Sequence, residues 1–123
     1  VYAFANATVP KVNVIIGEAF GSAYLAMNSK AIGADMTFAW PTAKIGMMDA
    51  NLAAKIICGD DTAAVADTAA SYAALQNSVE AAARRGYVDT MIEPADTRKY
   101  LIGALEMLFT KREDRPAKKH GTV

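Results

Sequence analysis

The residues Val12-Asn13-Val14-Ile15-Ile16 form a β-branched, nearly all-apolar run that ends at Gly17. Such a run fits a strand buried on both faces, as in a parallel sheet. Small residues follow at once, in the order Gly21-Ser22-Ala23-Tyr24-Leu25-Ala26-Met27, and the pattern turns helical from about 21 to 29, with Ala23, Ala26 and Met27 on one side. A buried strand running into a helix through a glycine commits this part of the chain to an α/β architecture. The same junction can present free backbone N–H groups at a helix head. These groups bind an anion or a developing oxyanion without any side chain.

The remaining pattern agrees with that class. Residues 1–7 read as helical and stop ahead of Pro10, which disfavours helix at the residue before it. Met36–Trp40 is a second strand, halted by Pro41, and Ile45–Met48 a short third. Asp49 is placed to cap a helix through about Ile57. Gly59-Asp60-Asp61 ends that helix and starts another. Residues 62–84 are Ala-rich, with Val65, Tyr72, Leu75 and Val79 along one helical stripe, and Asn77-Ser78 can split the run in two. Gly86 after Arg84-Arg85 is a helix stop. Tyr87–Ile92 reads as a fourth strand, broken by Pro94. Asp96 or Thr97 then caps a final helix with Leu101, Leu105 and Leu108 on its apolar face, beside Ile102 and Phe109.

About four short strands among so many apolar helices would leave faces uncovered. Val1 is not an initiator Met, and Val1–Ala5 looks like a helix already under way. The expectation is a domain truncated at its N-terminus, packed on structure outside this chain.

The composition removes several function classes. Lys plus Arg and Asp plus Glu are both 13, so no net field attracts nucleic acid or an anionic membrane. No apolar run approaches the ~20 residues of a membrane span, and no basic n-region of a signal peptide follows Val1. One cysteine, Cys58, rules out an internal disulfide and a Cys-rich zinc site and suits a reducing compartment. It reads as a small buried hydrophobe. The lone histidine, His120, sits in a charged tail, expected to be exposed, so no metal is expected, since a catalytic zinc needs about three protein ligands.

Ordinary catalytic side chains are scarce. Glu18 on the strand-to-helix turn and Asp35 before the second strand are candidate bases, but each also fits a solvated or capping role. Arg84, Arg85 and Arg98 could meet phosphates, and equally satisfy helix dipoles. Gly21 and Ser22 could serve only to let a helix pack close to a strand.

Several segments, taken in order, resemble the carboxyltransferase subunits of biotin-dependent acyl-CoA carboxylases. The β-subunits of acetyl-CoA and propionyl-CoA carboxylases belong here, as do transcarboxylase and decarboxylase subunits. The segments are Ala7-Thr8-Val9-Pro10-Lys11-Val12, Ala19–Tyr24, Phe38-Ala39-Trp40-Pro41-Thr42-Ala43, Arg85-Gly86-Tyr87-Val88-Asp89, Ile92-Glu93-Pro94, Thr97-Arg98, and Arg115-Pro116 with Lys118-Lys119-His120-Gly121. Each is weak alone; together they span nearly the whole chain.

The resemblance implies a crotonase-like (ClpP/crotonase) spiral of β-β-α units, here an incomplete domain. Residues 1–123 would be the C-terminal, biotin-facing domain, with the acyl-CoA site elsewhere. It implies carboxyl transfer between carboxylated biotin and the α-carbon of a short-chain acyl-CoA such as acetyl-CoA or propionyl-CoA. Biotin would be carried on a partner carrier domain, and the other partners would be biotin carboxylase, the N-terminal carboxyltransferase domain and further copies of the subunit, all cytoplasmic. Ser22 and Ala23 would offer backbone N–H groups to the biotin ureido oxygen, and Gly21 the close approach. Family members often read Gly-Gly-Ala-Tyr where this chain has Gly21-Ser22-Ala23-Tyr24. The departure keeps the backbone donor and adds a hydroxyl. Tyr24 and Leu25 would face the pocket, Leu25 at a position that shapes acyl choice in the family, although a core role suits Leu25 equally. Phe38 and Trp40 could wall a biotin or CoA channel, although aromatic strand residues are commonly core.

Two other functions fit the same residues. One is the α-subunit of a biotin-dependent acyl-CoA decarboxylase, running the transfer backwards beside a membrane sodium pump. The other is a non-catalytic oligomerisation module of crotonase-like fold. A free-standing crotonase hydratase or isomerase is disfavoured, because no convincing carboxylate pair is present.

Overall fold

The computed structural model describes residues 1–115. After a short helix α1 (Tyr2–Asn6), the chain enters β1 (Val12–Ile15), β2 (Glu18–Phe20) and α2 (Gly21–Ala26). Then come β3 (Met36–Ala39), β4 (Lys44–Gly46), α3 (Ala50–Cys58), α4 (Val65–Tyr72), α5 (Val79–Arg84), β5 (Thr90–Met91) and α6 (Thr97–Met107). A five-residue π turn, Ala73–Asn77, joins α4 to α5. Among the described residues no helix is long and apolar enough to cross a membrane.

Two parallel sheets organise the fold. The larger has the order β1-β3-β5, and the smaller pairs β2 with β4. The register Val14↔Phe38 and Ile15↔Ala39 lets the two-residue strand period sort side chains between two cores. Val12, Val14, Met36 and Phe38 turn to one face and meet Ile92, Ala104 and Leu101. Ile15 and Ala39 turn to the other and meet Ala43, Ile45, Val79, Ala82 and Val88. The strands alternate with helices in β-β-α order, an α/β fold of the crotonase-like kind.

Several elements differ from the sequence pattern, each for a local reason. Ile16 lies beyond the end of β1 and is 58% exposed, so the apolar run is one residue longer than the buried strand. The strand β2 falls on Glu18–Phe20, where a simple turn was expected, and pairs Phe20 with Gly46. The helix after Gly21 stops at Ala26 rather than near Ser29. Asn28 there adopts φ 57°, its Nδ2 donates to the Val12 carbonyl, and the Asn13 side chain donates to the Asn28 carbonyl.

The third strand is Lys44–Gly46 rather than 45–48, because Asp49 begins the next helix, accepting from the N–H groups of Asn51 and Leu52. The fourth shrinks to Thr90–Met91. Tyr87 is spent on terminating α5, its N–H bonded to the Ala82 carbonyl past Gly86 at φ 81°. The Asp89 carboxylate takes the Thr37 N–H at 2.8 Å and the Lys30 ammonium at 2.7 Å.

The Ala-rich run does split at Asn77-Ser78, where Ser78 Oγ caps α5. Its expected stripe is only partly buried: Val79 is inside, while Leu75 on the π turn is exposed. Likewise Leu105 on the last helix and Phe109 just beyond its end face outward, and Ala104 supplies the buried contact. Cys58 is half-buried rather than buried, its thiol donating to Thr68 Oγ1 where α3 meets α4. His120 and the segment from Pro116 lie outside the described residues.

Candidate functional site

The head of α2 is built by the smaller sheet. Phe20, extended at φ −121°, is the N-cap, and no side chain caps the helix. By helix geometry the N–H groups of Ser22 and Ala23, in the first turn, have no intrahelical acceptor. Both residues are exposed. Gly21 precedes them at φ 65°, a left-handed conformation that costs an L-residue about 1–2 kcal/mol. A Cβ there would also stand 3.3 Å from the Met47 carbonyl oxygen. Gly21 is therefore required twice, by backbone angle and by close approach to the strand β4 loop.

Two cavities flank α2. One, of about 340 Å3, lies along the strand–helix junction and is lined by Ile15, Ile16, Gly17, Phe20, Ala23, Tyr24 and Met27, among others. The second, of about 220 Å3, lies between Tyr24, Leu25, Ile45, Met47, Tyr72, Gln76, Arg85 and Tyr87. Tyr24 borders both. Its hydroxyl oxygen is buried and has no hydrogen-bond partner among the described residues. Burial, aided by Tyr87, pushes its pKa up, so the phenol stays protonated.

The structure thus gathers Gly21, Ser22, Ala23, Tyr24 and Leu25 around one helix. It does not bring Phe38 and Trp40 to the same cavities. Phe38 is 2% exposed in the core beneath α6, edge-on to Tyr100 with ring centroids 5.7 Å apart. Trp40 packs against the same core, its Nε1 donating to Thr97 Oγ1 at 2.9 Å.

Both candidate bases are held by lysines, and Glu18 also lines the larger cavity. Glu18 bridges the exposed Lys44 ammonium at 3.0 Å across β2 and β4. Asp35 lies among the Lys11 N–H at 2.7 Å and Lys111 Nζ at 2.9 Å. Burial raises its pKa, but the Lys111 and Lys11 hydrogen bonds outweigh that and hold the carboxyl below its usual range. Arg85 reaches back to the Leu75 carbonyl. Among the described residues, no group of three or more His, Cys, Asp or Glu gathers at metal-holding distances.

Sequence reasoning did not foresee two supporting residues. Asn77 was visible only as a helix breaker; it is 3% exposed, and its Nδ2 donates to the Met48 carbonyl at 3.2 Å. Met47 gave no sequence signal, because it is its backbone carbonyl, not its side chain, that limits the space at Gly21.

A short strand, a bare glycine and an uncapped helix head thus stand beside an open cavity on a crotonase-like frame. The family is equally plain: residues 1–123 match the carboxyl transferase domain model, and the chain belongs to that family. It is 46% identical over 127 residues to the methylmalonyl-CoA carboxyltransferase 12S subunit of Propionibacterium freudenreichii subsp. shermanii. It is 48% identical over 122 residues to the methylmalonyl-CoA decarboxylase subunit alpha of Veillonella parvula, and 47% identical over 133 to the propionyl-CoA carboxylase beta chain of Saccharopolyspora erythraea. These alignments cover 98%, 99% and 99% of this chain and 24% of each relative.

Among solved structures, the transcarboxylase 12S hexamer, determined with methylmalonyl-coenzyme A and methylmalonic acid bound, superposes with a TM-score of 0.92 at 47% identity. The β subunit of the P. aeruginosa geranyl-CoA carboxylase superposes at 0.75 and 25% identity. Each match covers 98% of this chain and 24% of the solved one. The chain therefore spans about a quarter of the length of these relatives.

Proposed function

We propose that this chain is the C-terminal, biotin-facing part of an acyl-CoA carboxyltransferase, and that Ser22 and Ala23 stabilise the biotin ureido oxygen through their backbone N–H groups. The observation that carries this is the uncapped first turn of α2, opened by Gly21 at φ 65° beside a largely apolar cavity whose one charged lining residue, Glu18, is paired with Lys44. Biotin, when bound, supplies the carboxyl carrier, and its ureido group becomes electron-rich as the carboxyl leaves.

The donor set fits that group. The approach passes over Gly21, which has no side chain, and over the small side chains of Ser22 and Ala23. Glu18, the nearest acid in sequence, is neutralised by Lys44, so no free carboxylate repels a developing negative oxygen. Fixed N–H donors need no reorganisation as charge develops, and losing one typically costs ~3 kcal/mol of transition-state stabilisation. Tyr24, kept protonated, closes the cavity wall without adding charge. Leu25 presents an apolar surface to the neighbouring cavity, suited to a short apolar acyl tail. The names of the relatives favour a propionyl or methylmalonyl group over acetyl. The coenzyme A thioester and its enolate oxygen would be held by the N-terminal carboxyltransferase domain. A biotin carboxyl carrier domain, biotin carboxylase and further copies of the subunit complete the cytoplasmic assembly.

The reverse direction, decarboxylation, uses the same oxyanion support, and similarity to the decarboxylase α-subunit keeps it alongside. The test is transfer of labelled carboxyl from methylmalonyl-CoA to free biotin by the assembled subunit, with propionyl-CoA as the other product. Saturable, biotin-dependent transfer is expected. An assembled protein that neither binds biotin nor transfers label would instead be a structural module.

A further inference from the structure

We infer that Asn77 is a positioning residue for the oxyanion turn, acting from the π turn through the β4–α3 loop. Asn77 is far from Gly21 in sequence and touches no substrate-facing atom. It is nonetheless 3% exposed at the end of the π turn Ala73–Asn77, an irregularity that often marks functional sites. Its Nδ2 donates to the Met48 carbonyl at 3.2 Å. Its Oδ1 is buried with no hydrogen-bond donor among the described residues and abuts Gly46, so closely that a Cβ on Gly46 would collide with it.

Gly46 is the residue paired with Phe20, the N-cap of α2. Between the two contacts lies Met47, whose carbonyl oxygen would stand 3.3 Å from a Cβ placed on Gly21. One amide thus grips the loop on both sides of the peptide that leaves room there only for a glycine. A second bond from the same segment, the bridge between Lys44 and Ser78, keeps the π turn in register with β4. A buried, unpaired amide oxygen is costly. Here its place is dictated by Gly46, which leaves just enough room for it.

The role rests on the carboxyltransferase reading for its catalytic consequence, but not for its structural one, so two readouts are needed. The first is amide hydrogen exchange over residues 18–25 of the assembled subunit. Asn77→Asp replaces the donor with a carboxylate facing the Met48 carbonyl, and should speed exchange there about ten-fold, the upper end of what one net hydrogen bond sustains. Gly46→Ala should do the same in the parent but add little on an Asn77→Ala background, because the colliding group is gone. Unchanged exchange in Asn77→Asp, or equal Gly46→Ala effects in both backgrounds, overturns the inference whatever the activity.

The second readout is carboxyl transfer. Asn77→Asp should lower kcat about ten-fold per folded enzyme, with the KM for acyl-CoA within two-fold; a loss that disappears when rates are normalised to the folded fraction is general destabilisation and overturns the inference. Faster exchange with unaltered kcat in an active enzyme also overturns it. If the parent itself transfers no carboxyl group, the functional reading fails while the exchange result still decides the positioning role.

Discussion

Ser22 offers a substitution that separates backbone from side chain. It is the second residue of α2, and proline is tolerated in a helix's first turn because the N–H it lacks has no intrahelical partner there. The preceding Gly21 has no Cβ to collide with the ring, although its N–H still meets it. Ser22→Pro therefore deletes the N–H at a stability cost of about 1 kcal/mol. The catalytic cost should be far larger. Losing one oxyanion donor is worth about 3–4 kcal/mol, which at 1.36 kcal/mol per decade is a fall in kcat of about 100- to 1,000-fold.

Ser22→Ala keeps the N–H and should retain activity within about three-fold, since the side chain is exposed and makes no contact the mechanism uses. The assay is transfer of labelled carboxyl from methylmalonyl-CoA to biotin in the assembled subunit, alongside urea denaturation of each variant. Equal losses in a well-folded Ser22→Ala would make the hydroxyl the active element. Full activity in Ser22→Pro would remove the Ser22 donor from the mechanism.

Other substitutions probe the frame. Gly21→Ala should cost about 2 kcal/mol in denaturant titration, from the left-handed backbone and the Met47 carbonyl together, and more than Gly86→Ala, whose Cβ would meet open space at φ 81°. A smaller loss at Gly21 contradicts the close approach. Trp40→Phe removes the bond to Thr97 Oγ1 and should cost about 1 kcal/mol of stability with transfer unchanged; a selective loss of biotin affinity would move Trp40 into the site.

The Asp35–Lys111 pair sets a pH dependence. The Asp35 carboxyl is depressed in the fold, so its contribution is present above the unfolded value of about 3.9 and is lost as pH falls through the lower folded value. The Lys111 ammonium is raised, chiefly by the Asp35 hydrogen bond, so its contribution holds below about 10.4 and is lost as pH rises through the higher folded value. Lys111→Met should lower Tm at pH 7, with the gap from the parent narrowing once acid protonates Asp35. A gap independent of pH would dissociate the pair from stability.

The amount legible in the sequence depended on whether a signal was local. The apolar run before Gly17 announced a buried parallel strand, and Asp49 and Gly86 marked helix ends through capping chemistry that acts over a few residues. The head of α2 was equally readable, because only glycine suits the angle at position 21. What stayed hidden was set by partners distant in sequence. The strand Glu18–Phe20 exists because Lys44–Gly46 lies beside it, and Thr90–Met91 is short because the Asp89 side chain competes for the Thr37 N–H. Phe38 and Trp40 have the composition of a ligand wall and the environment of a core, a distinction made by α6 packing over them. Leu105 and Phe109 keep a helical apolar period while facing outward, so periodicity alone does not decide which face is covered.

The most direct measurement is the position of biotin bound to the assembled subunit, determined crystallographically. The ureido oxygen should lie about 2.7–3.1 Å from the backbone nitrogens of Ser22 and Ala23, the range of a working oxyanion donor. A well-ordered biotin with that oxygen on a side chain, or docked away from the head of α2, would contradict the account.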